Sequence, residues 1–229
     1  PPVPTSKLED FIEHPSEGFD YYRENGIKKV ICQLKHMGSR GLVLLCRNEL
    51  GASKFNINGL GEVWSRTGRS FFRNDDKNIF LQKLKNIVDE VGLWDKLETD
   101  WILFDGEILP WSFKSQSLLN NEYAPVWTTA KALFETALPV LNHPLTNDLF
   151  DKFNRRQKEL ERYSNVYLNY ADENTIDRVQ FAPFHILAHD GNNNIKKDHY
   201  WHMNMISLLT NTNNPFLIKT EYKVVDVMK

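Results

Sequence analysis

The alternation of apolar and polar residues predicts a set of short β-strands. Residues 29–35 alternate with a period of two, and residues 41–47 are predicted as a second strand after a glycine-containing turn at 38–41. We expect these two segments to pair as a hairpin. Further strands are predicted over residues 61–66, 101–109, 179–188 and 216–227.

Helical periodicity dominates the middle of the chain, from residue 112 to about residue 171. Apolar side chains recur there every three or four positions, while residues 155–162 form a charged, solvated face. The two predicted apolar faces are Trp127, Ala130, Phe134, Ala137 and Leu141, and Phe150, Phe153, Leu160, Tyr163, Tyr167 and Tyr170. Shorter helices are predicted over residues 8–14, from Asp75 or Asp76 to Gly92, and from the N-cap Asp198 to residue 209.

This arrangement predicts an α+β fold in two parts. An antiparallel-sheet core is expected over residues 1–111 and 172–229, with a helical module inserted over residues 112–171. The chain shows no internal repeat. Its 229 residues are enough for one large domain or two small ones.

Composition narrows the class of protein only slightly. The formal net charge of −2 does not indicate a nucleic-acid partner, although cations can still cluster locally. Cys32 and Cys46 lie in apolar stretches without metal-type spacing, and we expect both to be reduced, buried thiols of a cytoplasmic protein. No apolar run is long enough to span a membrane, and no signal peptide is evident. The chain begins with Pro1, and we expect it to be part of a longer polypeptide.

The turn between the first two predicted strands carries the clearest candidate chemistry. Lys35 ends the first strand, and strand alternation places Gln33 on the same side. A lysine at a partly desolvated site has a lowered pKa and acts as a nucleophile. Gly38 lets the backbone approach a ligand closely, and Ser39 and Arg40 supply donors for ribose hydroxyls and phosphate. Taken alone, Lys-x-x-Gly is more typical of a surface lysine before a turn.

Three further features fit a nucleotide site. Asp105 and Glu107 share one face of a strand, where their carboxylates can bind ribose hydroxyls or hold Mg²⁺ or Mn²⁺. Phe184 heads an apolar strand and offers an aromatic face to a purine. Arg66 and Arg69 flank a turn, and arginine forks suit phosphate. In isolation, each feature has a simpler structural interpretation: an acidic edge-strand pair, a core aromatic residue and a solvated turn.

Together these elements resemble the covalent nucleotidyltransferase superfamily of ATP-dependent ligases and capping enzymes. Residues 35–38 match its Lys-x-x-Gly motif I, residues 105–107 match the acidic motif III, and Phe184 begins motif IIIa, where His185 replaces the more usual acid. From about residue 29 to residue 227, the chain more closely resembles the ligase-domain family of bacterial polynucleotide kinase-phosphatase (Pnkp). That resemblance rests on KHMGSR at 35–40, EILPWS at 107–112 followed by Lys114, APFHILA at 182–188, and a helix beginning DHYWHM at 198–203.

The resemblance implies a DNA/RNA ligase-like core that acts as an ATP-dependent RNA ligase in RNA repair. Lys35 would accept AMP to form a lysyl-AMP intermediate, Arg40 and Glu107 would bind the ribose, and Phe184 would stack on adenine. From strand facing, we expect Gln33 to read the adenine edge. Arg66 is expected to contact phosphate or RNA.

Partners also follow from the resemblance. It implies RNA with 5′-phosphate and 3′-hydroxyl ends, kinase and phosphatase domains in the same polypeptide, an RNA methyltransferase partner, and no membrane. The superfamily's Glu-Gly motif IV and lysine-rich motif V have no match in residues 1–229, and residues 216–227 resemble the strand that leads up to motif IV. Because those lysines neutralise the triphosphate in the transition state, we expect residues 1–229 alone to self-adenylylate poorly.

Three alternatives stay open at this point. The chain could be a capping-type guanylyltransferase that uses GTP. It could be a catalytically incomplete RNA-binding or scaffold fragment. Its histidines at 185, 189, 199 and 202 could form a metal site, although no cysteine or carboxylate cluster supports one.

Overall fold

The computed structural model of the chain describes residues 4–171 and 175–228. Its strands are β1 (Lys29–Gln33), β2 (Ser39–Cys46), β3 (Gly61–Ser65), β4 (Trp101–Leu109), β5 (Gln180–His189), β6 (Asn192–Asn193) and β7 (Tyr222–Asp226). Its helices are α1 (Pro15–Glu24), α2 (Glu49–Ser53), α3 (Asn74–Glu90), α4 (Leu93–Leu97), α5 (Gln116–Leu118), α6 (Ala124–Leu141), α7 (Asn147–Ala171) and α8 (His199–Thr210). Short 3₁₀ turns occupy Trp111–Phe113, Pro144–Thr146 and Ile176–Arg178, and a π-helical turn occupies Leu119–Tyr123.

The larger sheet has five antiparallel strands in the order β3-β2-β4-β5-β6. The central strand β4 has the predicted bounds, because its β-branched and aromatic residues favour a strand that is covered by others on both edges. Its register places Arg40 opposite Glu107 and Leu42 opposite Asp105. The two acidic residues therefore lie beside the strand that follows Lys35.

Helix α3 covers one face of this sheet and forms the hydrophobic core with it. The apolar positions of α3 recur at helical spacing, which places Phe80, Leu84 and Ile87 in the core cluster. Sheet residues in the same cluster include Val43, Leu45, Val63, Phe104, Phe181 and Ile186. Helix α8 packs on β5 and adds Ile206 and Leu209. The predicted α+β fold with an antiparallel sheet is confirmed.

Strand β1 does not form the predicted hairpin with β2. It pairs instead with β7, in a separate two-stranded antiparallel sheet with Val30 opposite Val225. Strand β2 is already bonded on both edges, to β3 and to β4, so it has no free edge for β1. The segment at 34–38 therefore carries the chain from one sheet to the other. Cys32 on β1 is exposed, so the prediction of two buried thiols holds only for Cys46.

Several predicted boundaries differ from those in the structure. The helix expected over residues 8–14 is wrong, because α1 begins at Pro15, where proline fixes a helical φ and His14 caps by accepting from Ser16 N at 3.2 Å. Helix α3 has Arg73 as its N-cap, and Asp75 and Asp76 lie in its first turn. The last strand is limited to Tyr222–Asp226. The N-cap Asp198 of α8 is confirmed, since its carboxylate accepts from Trp201 N at 2.7 Å.

The predicted helical segment is helical, and α6 and α7 pack against each other. Trp127 stacks on Tyr167 with 6.3 Å between ring centroids, and Phe134 meets Phe153 at 5.9 Å, so the two helices run antiparallel. The predicted division of the chain between a core and this module stays a prediction, and residues 172–174 at its second boundary lie outside the described residues. Among the described helices, none has both the length and the apolar character needed to cross a membrane.

Candidate active site

Lys35 lies on the loop between β1 and β2, and its neighbours anchor that loop. The N–H of Leu34 donates to Glu221 O at 2.8 Å, and His36 Nε2 lies 2.9 Å from the Thr220 hydroxyl. The Lys35 side chain itself is exposed, as are the two residues before it. The expectation of a partly desolvated lysine is therefore wrong for this state of the protein, because this stretch of the loop is open to solvent.

The ammonium group of Lys35 lies within electrostatic range of Glu107 on β4. Burial raises the pKa of the Glu107 carboxyl above its ordinary value, and the charge of Asp105 adds to this effect. The hydrogen bond from Gly38 N–H and the charges of Lys35 and Arg40 act in the opposite direction. The nucleophile candidate and the acidic strand are therefore neighbours, although they belong to different sheets.

Gly38 is required because the loop packs tightly against β4. A Cβ atom at Gly38 would lie 2.6 Å from the carbonyl oxygen of Ile108 and 2.7 Å from Cγ of Glu107, closer than real Cβ contacts allow. This contact lets Gly38 N–H bond to the Glu107 carboxylate. The sequence predicts that Gly38 allows close approach of a ligand to the backbone. In this structure it allows close approach of the neighbouring strand β4.

Arg40 and Asp105 form a bidentate ion pair at the centre of the site. Arg40 Nε donates to one carboxylate oxygen of Asp105 at 2.8 Å, and an Arg40 Nη donates to the other at 2.6 Å. The side chain of Asp105 is 2 % exposed, whereas that of Arg40 is 49 % exposed. Burial alone would raise the pKa of Asp105, but the nearby His185 side chain and the hydrogen bonds and charge of Arg40 outweigh burial and hold it below its ordinary value. Asp105 is therefore ionised and fixes Arg40 in place.

A chain of histidine contacts links this ion pair to β1. His185 on β5 lies 3.7 Å from a carboxylate oxygen of Asp105, and His185 Nε2 lies 3.0 Å from His199 Nδ1 on α8. The other ring nitrogen of His199 contacts the side-chain oxygen of Gln33. The structure thus joins Gln33 to Asp105 through two histidines, and it joins the two sheets by the same contacts.

The four histidines do not form the alternative metal site. His189 lies apart from the other three and bonds to the amide nitrogen of Asn194 at 2.9 Å. His202 Nδ1 accepts from the backbone N–H of Ile186 at 3.2 Å. Across residues 4–171 and 175–228, no group of three or more His, Cys, Asp or Glu side chains is arranged to hold a metal ion.

The remaining predicted residues lie on β2, on β5 and on the turn after β3. Ser39 is half-buried as the first residue of β2. Phe184 is half-buried on β5, with its ring edge-on to His185 at 5.2 Å between centroids. Arg66 is exposed on the turn after β3. Their contacts with a nucleotide or with RNA stay predictions.

Sequence reasoning missed the linking role of His199. Its partner Gln33 lies 166 positions earlier, so no local pattern signals the contact. The helix cap at Asp198 was the available signal, because it fixes where α8 begins and therefore that His199 lies in the first turn.

Comparisons with known proteins agree with this fold. The chain resembles two solved structures, "Structure of the Pnkp1/Rnl/Hen1 RNA repair complex" (TM-score 0.59, 17% identity) and "Structure of Pnkp1/Rnl/Hen1 complex" (TM-score 0.59, 18% identity). The matches cover 98% of this chain but only 61% and 62% of the solved chains. At such identities the likeness supports the fold alone.

The family comparison covers the whole chain. No curated protein matches it. The family described as "PNKP adenylyltransferase domain, ligase domain" matches residues 1–229. The chain therefore belongs to the PNKP adenylyltransferase (ligase) domain family.

Proposed function

We propose that this chain is the nucleotide-binding part of an ATP-dependent RNA ligase, in which Lys35 becomes covalently linked to AMP. The family is one of adenylyltransferases, which favours ATP over the GTP of the capping-enzyme alternative. One observation carries the proposal: Lys35 lies within electrostatic range of Glu107, on a loop whose Gly38 N–H bonds to that carboxylate. A free lysine beside an anchored acidic strand suits attack on a bound nucleotide.

The reaction begins with the deprotonated Lys35 amine attacking the α-phosphorus of ATP in line with the leaving group. A bond forms between nitrogen and phosphorus, and the bond from phosphorus to the bridging oxygen breaks. Pyrophosphate leaves with the electron pair. AMP then passes to the 5′-phosphate of an RNA, and a 3′-hydroxyl of the RNA displaces AMP to seal the strand.

The protein's own residues bind and orient the nucleotide in this mechanism. Arg40 and Glu107 bind the ribose, and Ser39 donates to its hydroxyls or to phosphate. Arg40 has five N–H donors, two of which bond to Asp105, so the others stay available to the ligand. Phe184 stacks on adenine, and the histidine chain holds the Gln33 amide that reads the base edge.

A divalent cation fits this site through Glu107 more readily than through Asp105. Carboxylate oxygens are the ligands that Mg²⁺ and Mn²⁺ prefer. Both oxygens of Asp105 already accept from Arg40, whereas Glu107 keeps lone pairs beyond its bond to Gly38. When bound, the cation would neutralise charge that develops on the phosphates.

The wider setting is proposed from the family and its solved relatives. Those structures are described as an RNA repair complex of Pnkp1, Rnl and Hen1, which supports a role in RNA end-joining within an assembly. We propose that the natural polypeptide also carries kinase and phosphatase domains and works with an RNA methyltransferase in the cytoplasm. Arg66, on the exposed turn after β3, would contact phosphate or RNA.

The test is covalent labelling of the natural polypeptide that contains this sequence. With ATP and Mg²⁺, its intact mass should increase by one AMP, and the modified peptide should contain Lys35. Lys35→Ala should abolish the adduct without changing thermal unfolding, because the side chain is exposed. Lys29→Ala is the matched control, since Lys29 is an exposed lysine on the adjoining strand. An adduct that persists in Lys35→Ala would sink the assignment of Lys35, and the absence of any adduct on the wild type would favour a scaffold function.

A further inference from the structure

A concave surface elsewhere on the molecule is lined by none of the candidate active-site residues. This cleft has a volume of about 750 Å³. It lies between the connection from β3 to α3, the first turn of α3, and the segment that follows β4. Its lining residues include Ser70, Arg73, Asp76, Phe113, Lys114 and Gln116.

Lys114 is held rigidly at the wall of the cleft. Its Nζ donates to the carbonyl oxygens of Ser70 at 3.2 Å and Phe71 at 3.0 Å, and it lies 4.9 Å from the centroid of the Phe71 ring. An ammonium group has three donors, so one remains for a ligand. Burial lowers the pKa of Lys114, and the charge of Arg69 lowers it further, so these two cations lie close together.

Positive charge at this cleft exceeds negative charge. Arg73 and Lys114 line the cleft, and Arg66 and Arg69 are exposed outside its lining, on the same connection between β3 and α3. The one acidic residue that lines the described part of the cleft is Asp76. The nearby carboxylate of Glu62 is engaged by Lys77 at 2.8 Å. Like charges held side by side repel one another, and a bound anion would relieve that repulsion.

Helix α3 also directs its positive end towards the cleft. Its N-cap is Arg73, whose side chain makes no capping hydrogen bond, and Asp75 and Asp76 lie in its first turn. The free N–H groups of a helix start favour phosphate oxygens. The helix has 17 residues, and the start of a helix carries a partial positive charge. The full positive charges of Arg73 and Lys114 add to it.

The register of the sheet places the cleft at the same end as Lys35. Ser39 pairs with Ile108, and Gly41 pairs with Ser65. The loop before β2, the turn after β3 and the segment after β4 therefore leave the sheet at one common end. The cleft and the nucleophile loop therefore lie at the same end of the sheet, with the cleft on the face that α3 covers and Glu107 on the opposite face.

We propose that this cleft binds the sugar–phosphate backbone of the RNA substrate, at the end of the sheet from which the Lys35 loop leaves. This inference rests on the proposed ligase function, and it assigns the cleft as the surface where the ligase binds its RNA substrate. Arginine and lysine are the residues that neutralise backbone phosphates in nucleic-acid complexes. The volume exceeds what a single phosphate needs and suits part of a polynucleotide.

The test measures binding of a short 5′-phosphorylated single-stranded RNA to the chain by fluorescence anisotropy over a range of salt concentrations. Arg73→Gln should weaken binding and reduce the slope of log affinity against log salt by about 0.7, the value for one lost phosphate contact on a single strand. Gln116→Lys, which adds a cation to the same wall, should tighten binding and steepen the slope by about 0.7. Arg155→Gln is the matched control, because it removes one exposed charge from α7.

The proposal fails if Arg73→Gln and Gln116→Lys both bind RNA as the wild type does, or if Arg155→Gln weakens binding as much as Arg73→Gln. In the natural polypeptide, Arg73→Gln should leave the KM for ATP in lysyl-AMP formation unchanged and slow RNA sealing. A raised KM for ATP with unchanged RNA binding would assign the cleft to the triphosphate of ATP and overturn the proposal. If the wild type forms no lysyl-AMP, the proposed ligase function fails. The RNA affinities of Arg73→Gln, Gln116→Lys and Arg155→Gln would still show whether the cleft binds RNA.

Discussion

The ion pair between Arg40 and Asp105 sets the geometry of the site at the scale of single residues. The carboxylate of Asp105 is buried and the guanidinium of Arg40 is half-exposed. Asp105 is therefore the fixed partner, and it holds Arg40 in position. A bidentate pair fixes the plane of the guanidinium, which a lysine at the same position would not do. The remaining donors of Arg40 are therefore aimed before a ligand arrives.

Glu107 gives a prediction on stability and pH. Burial raises its pKa above the ordinary value of 4.5. A carboxyl whose pKa is higher in the folded protein than in the unfolded chain destabilises the fold when it is ionised. This cost is absent well below pH 4.5, because the carboxyl is then protonated in both the folded and the unfolded protein. The cost reaches its full size above the raised pKa. Glu107→Gln should therefore increase the free energy of unfolding at neutral pH, and the gain should vanish in acid, as measured by urea unfolding at both pH values.

The control for this prediction is Glu159→Gln on the exposed face of α7, which should change stability little at either pH. A gain from Glu107→Gln that persists in acid would contradict the electrostatic explanation. Lysyl-AMP formation should fall in the same variant, since the ribose and the cation would lose their carboxylate. The site would then be more stable and less active.

At the scale of elements, the pairing of β1 with β7 is the contact that holds the lysine loop. Leu34 N bonds to Glu221 O and Val227 N bonds to Lys28 O, so by alternation Val225 N faces β1. Val225→Pro should remove one ladder bond and lower hydrogen-exchange protection over residues 29–33, while the five-stranded sheet keeps its protection. Lysyl-AMP formation should fall with it.

Val224→Pro is the matched control for that change. Its N–H points away from β1 by the same alternation, so the ladder should survive. Equal loss of protection in both variants would show that proline disrupts β7 by some other means. Unchanged protection in Val225→Pro would show that β1 does not depend on β7.

The sequence predicts elements well where local chemistry decides them and poorly where distant partners do. Strand β4 and the cap of α8 were predicted because aromatic, β-branched and capping residues act within a few positions. The hairpin of β1 with β2 was wrong because the strand that pairs with β1 lies near residue 225. For the site, alternation predicts that Asp105 and Glu107 share one face of a strand, whereas the bridge from Gln33 to His199 depends on the tertiary fold.

At the scale of the whole molecule, a cluster of phenylalanines joins three distant parts of the chain. Phe80 on α3 lies 5.0 Å from Phe72, 5.6 Å from Phe181 on β5 and 5.1 Å from Phe216, measured between ring centroids. Its side chain is fully buried. Phe80→Ala should lower the free energy of unfolding by about 3–5 kcal/mol in urea denaturation, because it leaves a cavity among these rings.

Ile79→Ala on the same helix is the control, since Ile79 is 40 % exposed. It should cost much less than Phe80→Ala. Similar losses in the two variants would mean that helix propensity, and not the aromatic cluster, dominates the stability of α3.

Charge is also organised at this scale. The chain has a net charge of −2, yet Arg66, Arg69, Arg73 and Lys114 gather at one end of the sheet. A local field of this kind attracts a polyanion even when the whole molecule is slightly acidic. Overall composition therefore gives no guide to the partner.

The pairing of β1 with β7 has a consequence for protein synthesis. A ribosome makes residues 29–33 early and their strand partner at residues 222–226 only much later. The nascent polypeptide must therefore present the lysine on an untethered segment throughout most of translation. Under the proposed function, ATP would meet a fixed Lys35 amine only after residue 226 has left the exit tunnel.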